Sequence, residues 1–382
     1  MGYVIDKVTM NVDLLRRVCG APGAPGFEYA IRDLIIDEVE PLVDSLRVDN
    51  MGSVIAFVEG KDSSKTVMVA AHMDEIGFMV RHIDANGFIK FLPLGGFDPK
   101  TLTAQRVIVH GKKDLVGVMG VKPIHVMTAA ERAKMPEIGD FYIDLGMSSK
   151  EEVEKYVSVG DCVTRERELI EMGDCVNSKS MDNRAGCFVL IEALRQISKG
   201  RKKPPFNIAA VFTVQEEVGL RGAQASTLQI QPDFAIALDV TIAFDTPGAS
   251  EVEYVSKLGD GAAIKLYDGS VITDRRMVEF LKHVATTKKI RHQFEMLPAG
   301  GTDAGAMQKF VPGGAITGAL SIPLRNMHQV IEMANKNDVD ACSDLLAASL
   351  MAMDSWDWAW GAVNVPAKEE APIKPTKKKK SK

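Results

Sequence analysis

The chain has 382 residues, 46% of them hydrophobic and 25% charged, a globular composition with room for one large or two modest domains. Its formal charge is −5, yet residues 366–382 hold seven Lys and two Glu, so the tail is +5 and the body −10; an acidic body argues against a nucleic-acid partner. The five cysteines (Cys19, Cys162, Cys175, Cys187, Cys342) form no C-x-x-C pair, which implies a reducing, cytoplasmic setting and no cysteine metal site. No apolar run reaches membrane-spanning length and MGYVIDKVTM lacks the order of a signal sequence, so no membrane partner is expected.

In chain order, helices are expected at residues 14–18 and over GFEYAIRDLIIDEVEPLV, on either side of the loop GAPGAPG. Gly20, Gly23 and Gly26 do not have the spacing of a dinucleotide or P-loop fingerprint, so the loop reads as a connection. LRVDNMGSVIAFVEG reads as a hairpin turning at residues 50–52, followed by VMVAAHMDEIGFMV, an apolar strand whose end carries His72, Asp74 and Glu75. From about residue 77 to 167 the texture changes to short β-rich pieces broken by turns such as Asn86-Gly87. After it, strands and helices alternate: DNRAGCFVLIEALRQI, FNIAAVFTV, PDFAIALDV, DRRMVEFLKHVATTK, RHQFEML, DAGAMQKF, GGAITGAL and NDVDACSDLLAASLMAM. This alternation predicts an α/β fold, a mixed, largely parallel sheet flanked by helices, with an inserted small β-barrel domain. The expected division is an α/β domain over 1–76 and 171–354, the β-rich insertion over 77–170, and a disordered basic tail over 355–382. Ligands of such sheets bind beyond the strand ends.

Charge at the end of a buried strand is costly unless something compensates it. His72 and Asp74, two residues apart, leave the same face of an extended chain, so one can ligate a cation while the other orients it; an ordinary hydrogen-bonded strand end is the alternative. Four further segments end in polar residues: Asp182 in NSKSMDNRAG, Glu216 and Glu217 in AAVFTVQEEVGL, Asp239 in FAIALDV, and His328 in PLRNMHQV. Taken singly, Asp182 reads equally well as a helix N-cap, Asp239 as an acceptor of backbone hydrogen bonds, and His328 as a packed or exposed histidine. Together, two His and three carboxylates, one Asp being shared, suit a pair of Zn(II) ions, or Co(II) or Mn(II), and leave one acid over for proton transfer.

GAPGAPGFE, AAHMDEIGFMV, LGGFDPKTLTAQRV, KPIHVM, DFYIDLG, SMDNRAG, VQEEVGLRGA, ALDV, AGGTDAGA and NMHQ occur in the order found in the TET-type tetrahedral aminopeptidases. The chain resembles this family, metallopeptidase family forty-two, from about residue 19 to 353. The family includes glutamyl aminopeptidases and proteins labelled cellulase M. The resemblance implies Asp182 as bridging ligand, His72 and Asp239 on one of two metal ions, Glu217 and His328 on the other, Glu216 as general base, and Asp74 as the carboxylate that fixes the His72 ring. It implies Gly300, Gly301 and Thr302 in the cleft wall, although Gly-Gly before Thr-Asp is also an ordinary helix start. Ile242 is a candidate for the substrate pocket. Arg221 reads as structural, and His82, His110, His125, His283 and His292 match no ligand position. The resemblance further implies oligopeptide substrates, and dimers built by the inserted domain that assemble into a hollow dodecamer. The segment DSWDWAWG and the lysine-rich tail depart from the family pattern; alternating Trp356, Trp358 and Trp360 allow a strand face, an added contact or a disordered stretch.

The expected activity is removal of N-terminal residues from oligopeptides, with a leucine-like or broad preference and a glutamyl preference as the nearest rival. Glycoside hydrolysis would leave both histidines unexplained and ask adjacent Glu216 and Glu217 to span roughly 5 to 9.5 Å across a sugar. A non-catalytic peptide-binding or assembly protein on the same scaffold would have no use for Glu216.

Overall fold

The structure, a computed structural model, describes residues 10–200 and 202–361. Helices α1 (Val12–Gly20) and α2 (Tyr29–Val39) lead into the hairpin β1 (Ser45–Val48) and β2 (Val54–Val58), then the long strand β3 (Asp62–His72). Six strands next close a barrel: β4 (Gly77–Ile83), β5 (Ile89–Leu94), β6 (Arg106–His110), β7 (Asp114–Gly120), β8 (Tyr142–Asp144) and β9 (Cys162–Arg165), with short helices α3 (Ala129–Ala133) and α4 (Lys150–Val153) in its connections. The chain returns through β10 (Ile170–Met172), β11 (Cys175–Ser178), α5 (Met181–Lys199), β12 (Phe206–Thr213), α6 (Arg221–Ile230), β13 (Phe234–Ile242) and β14 (Ala262–Tyr267). It ends with α7 (Arg275–Lys288), β15 (His292–Met296), α8 (Asp303–Lys309), β16 (Ile316–Arg325), β17 (Glu332–Asn335) and α9 (Lys336–Leu350).

Eleven strands form one mixed sheet with the main path β1-β2-β12-β3-β13-β16-β17-β11-β10, β14 lying beside β16 and β15 beside β14. The expected class is therefore observed: a mixed α/β sheet flanked by helices, plus a small closed barrel. Among the named strands of this sheet, β12-β3-β13-β16 at the centre and β14-β15 pair in parallel, and the other pairs are antiparallel.

Period-2 alternation divides the central strands between two helical layers. Val67, Val69 and Ala71 of β3, with Ile236 and Leu238 of β13 and Phe212 of β12, face the main core, where α1, α2, α5, α7 and α9 pack. Met68, Ala70, Ala235, Ala237 and Ala319 face the other way, toward Ala304 and Met307 of α8. Small residues on that face let α8 lie close to the sheet. Both faces are covered, as a parallel sheet requires. Phe212 and Phe188 are fully buried, and truncating either to Ala would cost about 3–5 kcal/mol.

The barrel has its own core of Phe78, Val80, Ile89, Val107, Val109, Ile143 and Val163. It joins β3 at Gly77, where a Cβ would come within 2.7 Å of the Ala24 side chain and 2.8 Å of the Val163 carbonyl oxygen, so only glycine fits this close crossing. Of the expected tail, residues 355–361 are described. Trp356 and Trp358 pack on the main core beside Phe280, Trp358 donates to the Met353 carbonyl at 2.8 Å, and Trp360 is exposed beneath Arg276. They form an added contact rather than a strand. The lysine-rich remainder of the tail lies outside the described residues.

Candidate metal centre

The candidate residues follow the C-terminal ends of four adjacent strands. His72 ends β3, Glu216 and Glu217 follow β12, Asp239 lies in β13 three residues before its last, and His328 follows β16. Asp182 arrives from one helical layer, at the start of α5, where Asp182 and Asn183 do not have helical backbone angles and Ser180 holds the N-cap position. Asp182 is thus not a capping residue, and its carboxylate is free to face the cluster. Three of these segments contain a non-glycine residue in the left-handed region: Ser180 at φ 59°, Gln215 at φ 55° and His328 at φ 62°. Such conformations persist where surrounding structure enforces them, and they concentrate at functional sites.

The ligand atoms of His72, Asp182 and Asp239 lie within 4.8 Å of one another, and so do those of Asp182, Glu217 and His328. Asp182 belongs to both groups: Oδ1 is 3.3 Å from His72 Nε2 and Oδ2 is 3.1 Å from His328 Nε2. Asp239 Oδ1 and Glu216 Oε2 stand 3.7 and 3.8 Å from His72 Nε2, and Glu217 Oε1 3.7 Å from His328 Nε2. Among the described residues these are the two groups with metal-binding geometry.

The donors fit a pair of divalent cations on three observations. His72 Nδ1 lies 3.2 Å from the Asp74 carbonyl and His328 Nδ1 2.8 Å from the Gly96 carbonyl. A carbonyl can only accept, so each Nδ1 carries a hydrogen and it is Nε2 that faces the carboxylates; loss of the Nε2 proton would leave there the lone pair a metal ligand needs. Glu217 Oε1 is buried with no hydrogen-bond partner. Finally, mixed imidazole and carboxylate donors are those that Zn(II), Co(II) and Mn(II) accept.

The electrostatics point the same way. Burial pushes Glu216 well above the usual carboxylate range, carries Glu217 up to about 8, and raises Asp239. Burial would lower the imidazoles, but the carboxylates outweigh it, holding His72 well above the ordinary histidine value and His328 up at about 10. Asp182 goes down despite its burial, because His328 and His72 both hydrogen-bond to it. The crowded acids thus draw protons onto the imidazoles, and cations in the same place would take over that charge balance.

Two buried carboxylates hold the cluster in shape. Asp74 Oδ1 accepts from the Glu216 N–H at 3.0 Å and Oδ2 from the Glu217 N–H at 3.1 Å. Its Oδ1 is 3.5 Å from His72 Nδ1, so Asp74 touches the ring mainly through its carbonyl and spends its carboxylate on the two glutamates. Glu332, which sequence reasoning missed, accepts from the Asp182 N–H at 3.1 Å and from the His328 N–H at 2.8 Å. Its only sequence signal is an acid between Ile331 and Met333, four residues after His328. Also missed is the buried group of Glu75, Lys179, Ser180 and Arg184. Lys179 Nζ lies 2.8 Å from both Glu75 oxygens, Ser180 donates to Glu75, and Arg184 Nε donates to the Met73 carbonyl at 2.7 Å. It ties the end of β3 to the start of α5.

The cluster opens into a cavity of about 870 Å³ whose wall includes Ile242, Gly300, Gly301 and Thr302 together with Lys265 and Asp268. Thr302 also precedes α8 without a side-chain cap bond, so cleft wall and helix start describe the same residues. Arg221 opens α6 and donates to Gln215 Oε1 at 3.3 Å, a structural contact. The other histidines stay outside both metal groups: His110, for example, bonds Asp114, and His283 stacks near Trp356.

A sheet of this topology with two His and carboxylate groups sharing one Asp at its strand ends defines a metal-dependent hydrolase. Residues 52–345 match the family described as M42 glutamyl aminopeptidase. A putative aminopeptidase of Acetivibrio thermocellus is 40% identical over 88% of this chain and 98% of its own length, and the lysyl aminopeptidase of Pyrococcus furiosus is 34% identical over 91% and 98%. Among solved structures, an aminopeptidase of the archaeon Desulfurococcus kamchatkensis superposes with a TM-score of 0.85 at 37% identity, covering 89% of this chain and 94% of that one. The TET1 peptidase of Pyrococcus horikoshii, which can assemble into a tetrahedron or a large octahedral shell, gives 0.80 at 30%, covering 88% and 98%. The chain belongs to the M42 family of TET-type aminopeptidases, and it is a peptide hydrolase, a metal-dependent aminopeptidase.

Proposed function

We propose that the protein is a dinuclear aminopeptidase removing neutral N-terminal residues from oligopeptides. The observation that carries the dinuclear reading is Asp182, whose two oxygens face the two imidazoles at 3.3 and 3.1 Å. His72 and Asp239 would complete one metal site, Glu217 and His328 the other, with Zn(II) as the first choice and Co(II) or Mn(II) as alternatives. Divalent cations there supply acidified water and polarise the peptide carbonyl. Glu216, adjacent to both groups and committed to neither, takes the proton of the attacking water and delivers it to the leaving amine. Asp74 holds Glu216 and Glu217 in register for these two tasks.

Leu220, Val240, Ile242, Leu297 and Met327 give the cavity an apolar wall, which supports a leucine-like preference. Of the charged groups in the wall outside the metal groups and Glu216, Lys265 and Asp268 are buried and 3.3 Å apart, Lys265 also pairing with Glu295, while Asp98 is exposed. A glutamyl preference, as in the family's description, is the rival reading. A panel of aminoacyl chromogenic substrates, assayed after chelation and separate refilling with Zn(II), Co(II) or Mn(II), tests this: leucyl substrates should turn over fastest. Cleavage of N-acetylated peptides with none at free amino ends would contradict aminopeptidase action.

The division into a catalytic α/β domain over 1–76 and 171–354 and an inserted domain over 77–170 is proposed on the barrel's separate core. Homo-oligomerisation through the barrel, up to a dodecamer, is supported by its exposed Val116, Val118, Ile124 and Val126 and by the assembly stated for the Pyrococcus horikoshii relative. Light scattering should give a mass of twelve subunits. A cytoplasmic location is proposed from five free cysteines, four of them buried.

A further inference from the structure

The two metal groups are not supported alike. His72, Asp182 and Asp239 are all buried, and the His72 side chain is only 2% exposed. In the second group His328 is 35% exposed. It sits in a turn with left-handed backbone, and no strand holds it. What fixes it are two contacts: its Nδ1–H donates to the Gly96 carbonyl, in the loop after β5 of the barrel, and its backbone N–H donates to Glu332 Oε1. The other oxygen of Glu332 holds the backbone of Asp182.

We infer that Glu332 is the positioning residue of the Asp182–Glu217–His328 group, and that this group is the weaker and separable metal site. The inference rests on the dinuclear reading above and adds to it the order in which the sites fill and empty. Glu332 lies at 0% exposure, with each oxygen occupied by a different N–H donor. A glutamine there is nearly isosteric but has one acceptor oxygen, and its amide NH2 would face the second N–H donor to donor. Either Asp182 or His328 then loses its anchor. His72 and Asp239 make no contact with Glu332 and keep their own supports, the Asp74 carbonyl for His72 and the Val240 N–H, 2.8 Å from Asp239 Oδ1, for Asp239.

The test uses the full chain stripped of metal and titrated with Co(II), binding being read by calorimetry and by visible absorbance. Wild type should take up two ions in two steps. Glu332→Gln should weaken the looser step roughly 10- to 100-fold, the scale of losing a hydrogen bond that orients a ligand, and the tighter step, which shares only Asp182 with it, at least roughly 10-fold less. His72→Ala should abolish the step that Glu332→Gln spares. Equal weakening of both steps, or weakening of neither, would overturn the inference while leaving the dinuclear reading intact. Binding of a single ion by wild type would overturn the dinuclear reading itself. If Glu332→Gln does not fold, wild type decides: graded chelation, followed by anomalous scattering in crystals, should empty the Asp182–Glu217–His328 group first, and the reverse order contradicts the inference.

Discussion

One half of the metal centre is held by the sheet and the other by turns and a barrel loop. His72 is the last residue of β3 and Asp239 lies inside β13, both placed by ladder hydrogen bonds and by the packing of both helical layers. Glu217 and His328 stand beyond their strands, and two carboxylate clamps, Asp74 and Glu332, fix their backbones. The difference teaches that a rigid sheet can offer ligands only at its strand ends. A second ligand group beside the first therefore requires turns, and turns require buried acceptors to hold them. Each clamp carboxylate accepts two N–H groups, and leaving one of those unpaired costs about 1–3 kcal/mol.

The sharpest way to separate chemistry from support is Glu216→Gln. Glu216 is in neither triad, so metal content and assembly should be unchanged while turnover falls by at least roughly 100-fold; a variant that turns over normally would remove Glu216 from its role. Asp74→Asn should come next. One of the Glu216 and Glu217 N–H groups loses its acceptor, so calorimetric unfolding should show a loss of about 1–3 kcal/mol with a fall in kcat rather than a rise in KM. A loss confined to KM would mean that Asp74 serves substrate binding instead.

A pH titration of metal affinity probes both halves together. In the metal-free cluster the carboxylates hold His328 up at about 10 and His72 well above its ordinary value. Below those values each imidazole keeps a proton that must leave before Nε2 can bind a cation. Glu217, carried up to about 8, must likewise lose its proton, so affinity should rise with pH up through these values and level off above, with on the order of two to three protons released per chain at neutral pH. Calorimetry in buffers of different ionisation enthalpy measures that release, and an affinity flat between about pH 6 and 9 would contradict the assignment of both histidines. The smallest effect is expected of Arg221→Ala. Its contact with Gln215 is exposed, so stability should shift within about 0.5 kcal/mol, with both metal steps unchanged.

The same contrast governs what the sequence made legible. Apolar runs that end in acid are visible signals, and β3, β12 and β13 with His72, Glu216, Glu217 and Asp239 could be found from pattern alone. His328 was weaker: a lone histidine after PLRNM carries no periodicity, so the pattern only offered it as a candidate and the family resemblance gave it a ligand role. Glu332 was invisible because its partners are backbone N–H groups from residues 150 and 4 positions away, a relation no local pattern encodes. The strands AAIKLY and EMAN were missed for a similar reason. β14 carries a buried lysine and β17 only 4 residues, and each is set by its neighbour in the sheet rather than by alternation. Asp74 was found, but its main task differs from the one expected, since strand geometry shows which face it takes and not which N–H groups wait there.

The most direct test of the central claim is anomalous diffraction from crystals of the Zn(II)-loaded protein. The account predicts two peaks per chain, one among His72, Asp182 and Asp239 and one among Asp182, Glu217 and His328, with one Asp182 oxygen on each. A single peak, or a pair elsewhere in the molecule, would contradict it.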